Sequence, residues 1–205
     1  MNGNLIAIVG GSGSGKTWLS QRLAEEFGQD AGRLSLDDFY RDLSHLPPVE
    51  RDRTNFDHPD AIDWPLFYRC VSGICRGQAV ALPSYDFATH TRRPVAQAWQ
   101  PRRVVLLEGL WLLRDLELRQ LYRLSVFVDC PEHVRLKRRL ARDLRERGRS
   151  ARSVCAQFER QVAPMHHLFV TAQARHADLV LESPVSTTQL SELLARCNQR
   201  LHQAN

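Results

Sequence analysis

Between the apolar run LIAIV (5–9) and the helical-period stretch WLSQRLAEEF lies GGSGSGKT, residues 10–17. It fits G-x-x-x-x-G-K-[ST], with Gly10, Gly15, Lys16 and Thr17 at the defining positions. The spacing has a physical reason. Glycines let successive backbone N–H groups turn inward around an anion, here through Gly10, Gly11, Ser12, Gly13, Ser14 and Gly15, and a helix starting near Gly15 adds its positive end. Lys16 then reaches the β- and γ-phosphates, and the Thr17 hydroxyl can ligate Mg²⁺. Competing glycine motifs fail on spacing: G-x-G-x-x-G would need glycine where Lys16 or Trp18 stands, and G-x-S-x-G has no match. With a strand before it and a helix after it, the loop is expected to hold a nucleoside triphosphate.

Lysine usage sharpens this reading. Of 28 basic residues, only Lys16 and Lys137 are lysine, so a compact ammonium at the end of the glycine loop stands out in an arginine-rich chain. No D-x-x-G and no N-K-x-D occurs, which argues against a GTPase switch. Motor ATPases end a strand in paired acids, whereas VVLLEG offers Glu108 alone. The five cysteines include no CxxC pair, which disfavours a zinc site, and in a chain of 205 residues they read as reduced, mostly buried thiols. No apolar run approaches the roughly 18 residues a membrane span needs. The start MNGNLIAIVGG lacks the basic opening of a secretory signal. These features predict a cytoplasmic protein without a membrane partner.

Short apolar runs alternate with helical-period segments. LIAIV (5–9), RLSL (33–36), VVLLE (104–108), LSVFVD (124–129) and DLVLE (178–182) read as buried strands, while 16–27, 64–75, 131–147, 151–174 and 187–201 read as helices. Asp63 is placed to cap the second helix and Ser186 or Thr187 the last. This order predicts an α/β fold, a doubly wound parallel sheet in one domain spanning 1–205. Two stretches break the pattern. Residues 78–99 read as a β-hairpin standing off the sheet, and in 133–152 nine of twenty residues are basic.

Phosphoryl transfer needs charge neutralisation and a group to orient the accepting hydroxyl. LSLDDFYRD places Asp37 and Asp38 just after the second strand, where a carboxylate could take a proton and sit near a metal; capping a helix is the ordinary alternative use of such aspartates. Glu108 ends a strand so apolar that its carboxylate calls for a cation nearby, which suits a Mg²⁺ role.

The order GGSGSGKT, LDDFYRD, TNFDHPDAID, YDFATHTR, LLEGLWLL, FVDCPEHVRLKRRLARDLRERGRS and QFERQVAPM closely resembles the uridine kinase (uridine–cytidine kinase) family, from residue 5 to about 181. FDHPDAID and YDF-x-x-H-x-R carry most of the specificity. The resemblance implies ATP- and Mg²⁺-dependent phosphorylation of the 5′-hydroxyl of uridine and cytidine in pyrimidine salvage, by a homotetramer. It implies Asp37 as the base, also close to the metal, and Thr17 and Glu108 as metal-shell positions. Asp57, with Phe56 beside it, falls at the ribose, Tyr85 and His90 at the pyrimidine, and Gln157 at a ribose contact. Arg139, Arg142, Arg147 and Arg149 fall on a lid, Arg142 and Arg147 on the ATP side and Arg139 and Arg149 on the nucleoside side. The family motif commonly reads QDSYY or QDSFY, so LDDFY puts Leu36 for a polar residue and adds Asp38, an acid whose repulsion can raise the pKa of the base.

Physics supports much of this assignment. A carboxylate can accept both protons of a ribose diol, which suits Asp57. Neutral imidazole offers one donor and one acceptor, so His90 predicts tolerance of uracil and cytosine alike; a surface loop histidine is the bland alternative. Leu136, Leu140 and Leu144 form an i, i+4, i+8 stripe expected to pack on the core, with Arg135, Arg139 and Arg142 lining a neighbouring face. A lid over a triphosphate fits these charges better than nucleic acid, since no aromatics are interleaved for base stacking. Kinases of nicotinamide riboside, pantothenate or ribulose phosphate remain alternatives, as does a nucleotide- or RNA-binding regulator.

Overall fold

The computed structural model describes residues 4–203. Five strands form one parallel sheet: β1 (Asn4–Gly10), β2 (Ala31–Ser35), β7 (Val104–Gly109), β8 (Tyr122–Asp129) and β9 (Leu179–Glu182), in the order β2-β7-β1-β8-β9. Alternation along β1 divides the interior. Leu5, Ala7 and Val9 face a core built with Phe67 and Val71 of α3 (Trp64–Cys75), together with Phe39 and Trp111. Ile6 and Ile8 face Leu19 and Leu23 of α1 (Lys16–Phe27) and Leu193 of α8 (Thr187–His202). The central strands β1, β7 and β8 are buried along most of their length, as a parallel sheet covered on both faces requires. The doubly wound expectation holds.

Helix starts follow the capping chemistry. Asp63 Oδ1 accepts from the Leu66 amide at 3.1 Å, and Ser186 closes a reciprocal capping box with Gln189. The second strand ends earlier than the apolar pattern suggests: Leu36–Phe39 is a tight 3₁₀ turn, capped by Ser35 Oγ, which accepts from the Asp37 amide at 3.2 Å. Ser35 does the capping, so neither aspartate side chain is spent on it. Two short helices, α2 (Pro48–Arg53) and α4 (Leu116–Leu121), were not apparent from periodicity because each is barely longer than one turn.

The hairpin expected over 78–99 is present in two antiparallel pieces. β3 (Val80–Leu82) pairs with β6 (Gln97–Trp99), and β4 (Tyr85–Asp86) pairs with β5 (Thr91–Arg92) nearer its tip. The basic segment forms α5 (Glu132–Glu146), followed by α6 (Ala151–Gln157). The helix expected over 151–174 continues through two π-helical widenings, Phe158–Val162 and His166–Val170, with α7 (Ala163–Met165) between them, and ends in a 3₁₀ turn.

The leucine stripe of α5 is overturned. Leu144 is 46% exposed and Leu136 and Leu140 are only half-buried, whereas Arg135, Arg139 and Asp143 are 1%, 5% and 0% exposed. The helix turns its charged i, i+4, i+8 face inward because it lies against the phosphate loop and cleft rather than the apolar core. There, Arg139 pairs with Asp143 and donates to Ser12 Oγ, and Arg135 Nε donates to the Cys130 carbonyl oxygen, while Arg135 Nη1 and Arg139 Nε keep no hydrogen-bond partner among the described residues. Of the five cysteines, Cys70, Cys130 and Cys197 are buried and Cys75 and Cys155 half-buried, all as free thiols. Among the described residues, no helix is long and apolar enough to cross a membrane.

Candidate active site

The loop after β1 lies at the carboxyl end of the sheet, where β7 and β8 flank the strand and a crevice opens. Its shape depends on missing side chains. Gly13 has φ +79°, and a Cβ there would come within 2.6 Å of the Arg135 carbonyl oxygen. A Cβ on Gly11 would come within 2.7 Å of His166 Nδ1 and 3.0 Å of Arg135 Nη1. The loop is therefore pressed against α5 and the long helical segment behind it.

A cavity of about 250 Å³ runs from this loop to the hairpin. Ser12, Gly13, Gly15, Lys16 and Thr17 form its floor. Gly10, Gly11 and Ser14 do not line it; Ser14 is fully buried, and these three residues shape the loop from behind. Lys16 Nζ donates to the Gly11 carbonyl oxygen at 3.0 Å. Burial holds its ammonium below the usual lysine range, opposed by the carboxylates of Glu108 and Asp37.

Thr17 Oγ1 donates to Glu108 Oε2 at 3.0 Å, which joins the end of the loop to the end of β7. Burial raises the Glu108 pKa, with Lys16 opposing and Asp37 adding to the rise. Hydroxyl and carboxylate oxygens are the hard donors that Mg²⁺ takes, together with phosphate and water oxygens. Thr17 and Glu108, with Asp37 close by, thus fit that ion.

Asp37 lines the cavity, while Asp38 does not. The Asp38 carboxyl is pushed up to about 6 chiefly by burial, with a smaller contribution from the Asp37 charge. A hydrogen bond with the Tyr85 backbone opposes the rise.

At the far end, Asp57 is 8% exposed, and burial raises its pKa against the pull of Arg139. Phe56 stacks on His90 and makes an edge contact with Tyr40, whose hydroxyl donates to the Phe56 carbonyl oxygen at 3.0 Å. His90 is 9% exposed with φ +55°, so the surface-histidine alternative fails. Burial lowers the His90 pKa, with Arg149 adding to the fall, and burial raises that of the Tyr85 phenol.

All four lid arginines reach the same cavity. Arg139 is the most connected of them: Nη1 donates to Ser12 Oγ at 2.9 Å, Nη2 to Gln157 Oε1 at 2.9 Å, and Nη1 stands 4.0 Å from Asp57 Oδ1. Gln157 Oε1 also accepts from Arg149 Nη1 at 2.7 Å. Sequence reasoning missed Tyr40, Phe87, Leu110 and Arg138, which also line the cavity. Tyr40 lies inside the quoted LDDFYRD, two residues after the acids, and was within reach. Arg138, which donates to the Ser14 carbonyl oxygen at 3.1 Å and to Ser183 Oγ at 2.8 Å, had no local signal among so many arginines.

A family model described as Phosphoribulokinase / Uridine kinase family matches residues 5–191. A uridine kinase of Chloroflexus aggregans is 44% identical over 86% of this chain and 85% of its own length. One of Deinococcus deserti is 44% identical over 86% of both chains. The solved phosphoribulokinase of Rhodobacter spheroides shares the fold at a TM-score of 0.65 and 15% identity, over 88% of this chain and 70% of its own.

Proposed function

The chain belongs to the phosphoribulokinase / uridine kinase family, and on that premise we propose that it transfers the γ-phosphoryl group of ATP to the 5′-hydroxyl of uridine and cytidine. One observation carries the reading: a single cavity is lined by the phosphate loop with Lys16, by Asp37, and by Asp57 beside the Phe56–His90 stack. A phosphate donor and a sugar bearing a flat base both find their chemistry there.

The triphosphate lies along the loop amides, with Lys16, Arg142 and Arg147 neutralising charge as it moves to the leaving group. Asp57 accepts from the ribose diol, helped by Arg139 and Gln157. Phe56, Tyr85 and His90 hold the pyrimidine. The neutral imidazole of His90 accommodates uracil or cytosine. Asp37 takes the proton from the 5′-hydroxyl as that oxygen attacks the γ-phosphorus and the bond to the β-phosphate oxygen breaks, releasing ADP. Mg²⁺, held by Thr17 and Glu108 with Asp37 nearby, supplies charge neutralisation at the phosphates when bound. The arginine lid keeps water from the γ-phosphate until an acceptor is present. The reading extends to a cytoplasmic homotetramer acting in pyrimidine salvage, on the strength of the family likeness, and to a single domain with hairpin and lid as its additions.

The test is ADP release with ATP and a panel of acceptors, the product being identified by mass and by its phosphate position. Uridine and cytidine should each stimulate release and yield the 5′-monophosphate. Stimulation by nicotinamide riboside, pantothenate or ribulose phosphate, with neither pyrimidine nucleoside active, overturns the reading. Size-exclusion chromatography with light scattering tests the tetramer.

A further inference from the structure

Asp143 sits on the inward face of α5 with no exposed surface. Its carboxylate is ringed by arginines. Arg142 Nε and Nη2 each lie 2.9 Å from Oδ1, and Arg147 Nε lies 3.7 Å from the same oxygen. Arg139 Nε is 3.6 Å and Arg149 Nη1 3.8 Å from Oδ2. The backbone carbonyl of Asp143 accepts from the amides of Arg147 and Arg149, at 3.2 and 3.3 Å, which sets the turn that follows the helix. Glu146, the other acid in this stretch, is exposed and pairs outward with Arg145.

A carboxylate taken wholly out of water is costly unless paired, and removing the partner of a buried pair leaves an uncompensated charge. Here one anion faces four guanidinium groups, so the lid keeps an excess of positive charge beside Lys16. That suits a polyphosphate, but the arginines also repel one another. From these contacts we infer that Asp143 is a positioning residue, a buried anionic hub that aims the lid arginines, Arg142 above all, across the phosphate loop. It touches no substrate and acts only through the guanidinium groups it holds.

The inference rests on the kinase reading only for the ligand at the loop, and its test needs no acceptor. Affinity for a non-hydrolysable ATP analogue with Mg²⁺ is measured by titration calorimetry on the wild type, Asp143→Asn, Arg142→Gln and the double variant. Asp143→Asn should bind at least about tenfold more weakly, the scale of a lost charge-assisted bond. The double variant should fall within about threefold of Arg142→Gln alone, because both changes remove one arrangement. A merely structural role would multiply the two losses, and such multiplication overturns the inference. So does binding by Asp143→Asn within about threefold of wild type, or a wild type without measurable affinity. Should circular dichroism find Asp143→Asn unfolded, Asp143→Glu, which displaces the charge by one methylene, enters the same cycle under the same criteria. A wild type that binds the analogue yet phosphorylates no pyrimidine nucleoside sinks the substrate reading and leaves the role of Asp143 standing.

Discussion

Phe56 and His90 stack with ring centroids 4.4 Å apart and planes inclined by 16°. The two residues come from segments 34 positions apart, one after α2 and one at the hairpin tip. His90 holds a left-handed backbone, φ +55°, that side chains rarely adopt, and Nδ1 is buried without a hydrogen-bond partner. Such strain persists only where surrounding contacts enforce it. We expect His90→Ala to raise the nucleoside KM by about tenfold, the order expected from losing an aromatic contact and a hydrogen bond. The ATP KM should stay unchanged. Steady-state kinetics with each substrate varied in turn checks the split; an unaltered nucleoside KM removes His90 from the pocket.

Asp37 carries the proton transfer in the proposed mechanism. Asp37→Asn should lower turnover at least ~100-fold, the range for loss of a general base. Affinity for the ATP analogue should hold within about threefold, since the carboxylate makes no contribution to the loop amides. Turnover that survives the substitution would shift the role to another group.

Asp57 faces the cavity with Arg139 as its counter-charge. Asp57→Asn keeps the shape and loses one acceptor for the ribose diol. The nucleoside KM should rise by about tenfold or more, the penalty for breaking a hydrogen bond to a charged group. A 2′-deoxynucleoside should lose less against the variant than against the wild type, which a comparison of kcat/KM for the two sugars would reveal.

The Thr17–Glu108 hydrogen bond bears on the metal. Glu108→Gln keeps a hydrogen-bonding side chain while removing the negative charge from the end of β7. Activity should then require several-fold more Mg²⁺ for half-saturation, consistent with loss of one carboxylate from a weakly held ion. Titration with MgCl₂ at fixed ATP checks this, and an unchanged midpoint would take Glu108 out of the metal shell.

Asp38 gives a pH-dependent stability with a definite sign. Its carboxyl titrates near 3.8 when exposed and is raised to about 6 in the folded protein, chiefly by burial. Between those values the native state binds more protons than the unfolded chain, so the penalty of the buried charge grows as pH rises from about 4 to about 6 and is complete above it. Asp38→Asn should raise the melting temperature at pH 8 and raise it less at pH 5. An equal gain at both pH values would show that the effect has another origin.

Much of the fold was legible because it rests on short-range rules. The five apolar runs, the capping residues Asp63 and Ser186 and the glycine loop all lie within a few positions of the structure they specify. The six-residue helices α2 and α4 were not legible, since a period cannot establish itself over so short a stretch. In the site, the motif residues Lys16, Asp37, Asp57, His90 and Gln157 do share one cavity. Leu110 and Arg138 join them from within LLEGLWLL and the arginine-rich segment, where a plain leucine and one arginine among many carry no distinguishing chemistry, and Gly10, Gly11 and Ser14 support the loop without facing its contents.

By itself, the order of residues determined the phosphate loop, the alternation of strand and helix, and the chemical inventory of a phosphoryl-transfer site. Only the tertiary structure decided which side of α5 turns inward. Hydrophobic spacing favours Leu136, Leu140 and Leu144, yet Arg135, Arg139 and Asp143 are the buried set. Periodicity measures how apolar a helix face is and carries no information about what lies opposite. Opposite α5 lies a polar loop and a charged cleft, and there Arg135, Arg139 and Asp143 find counter-charges and acceptors that a row of leucines could not use.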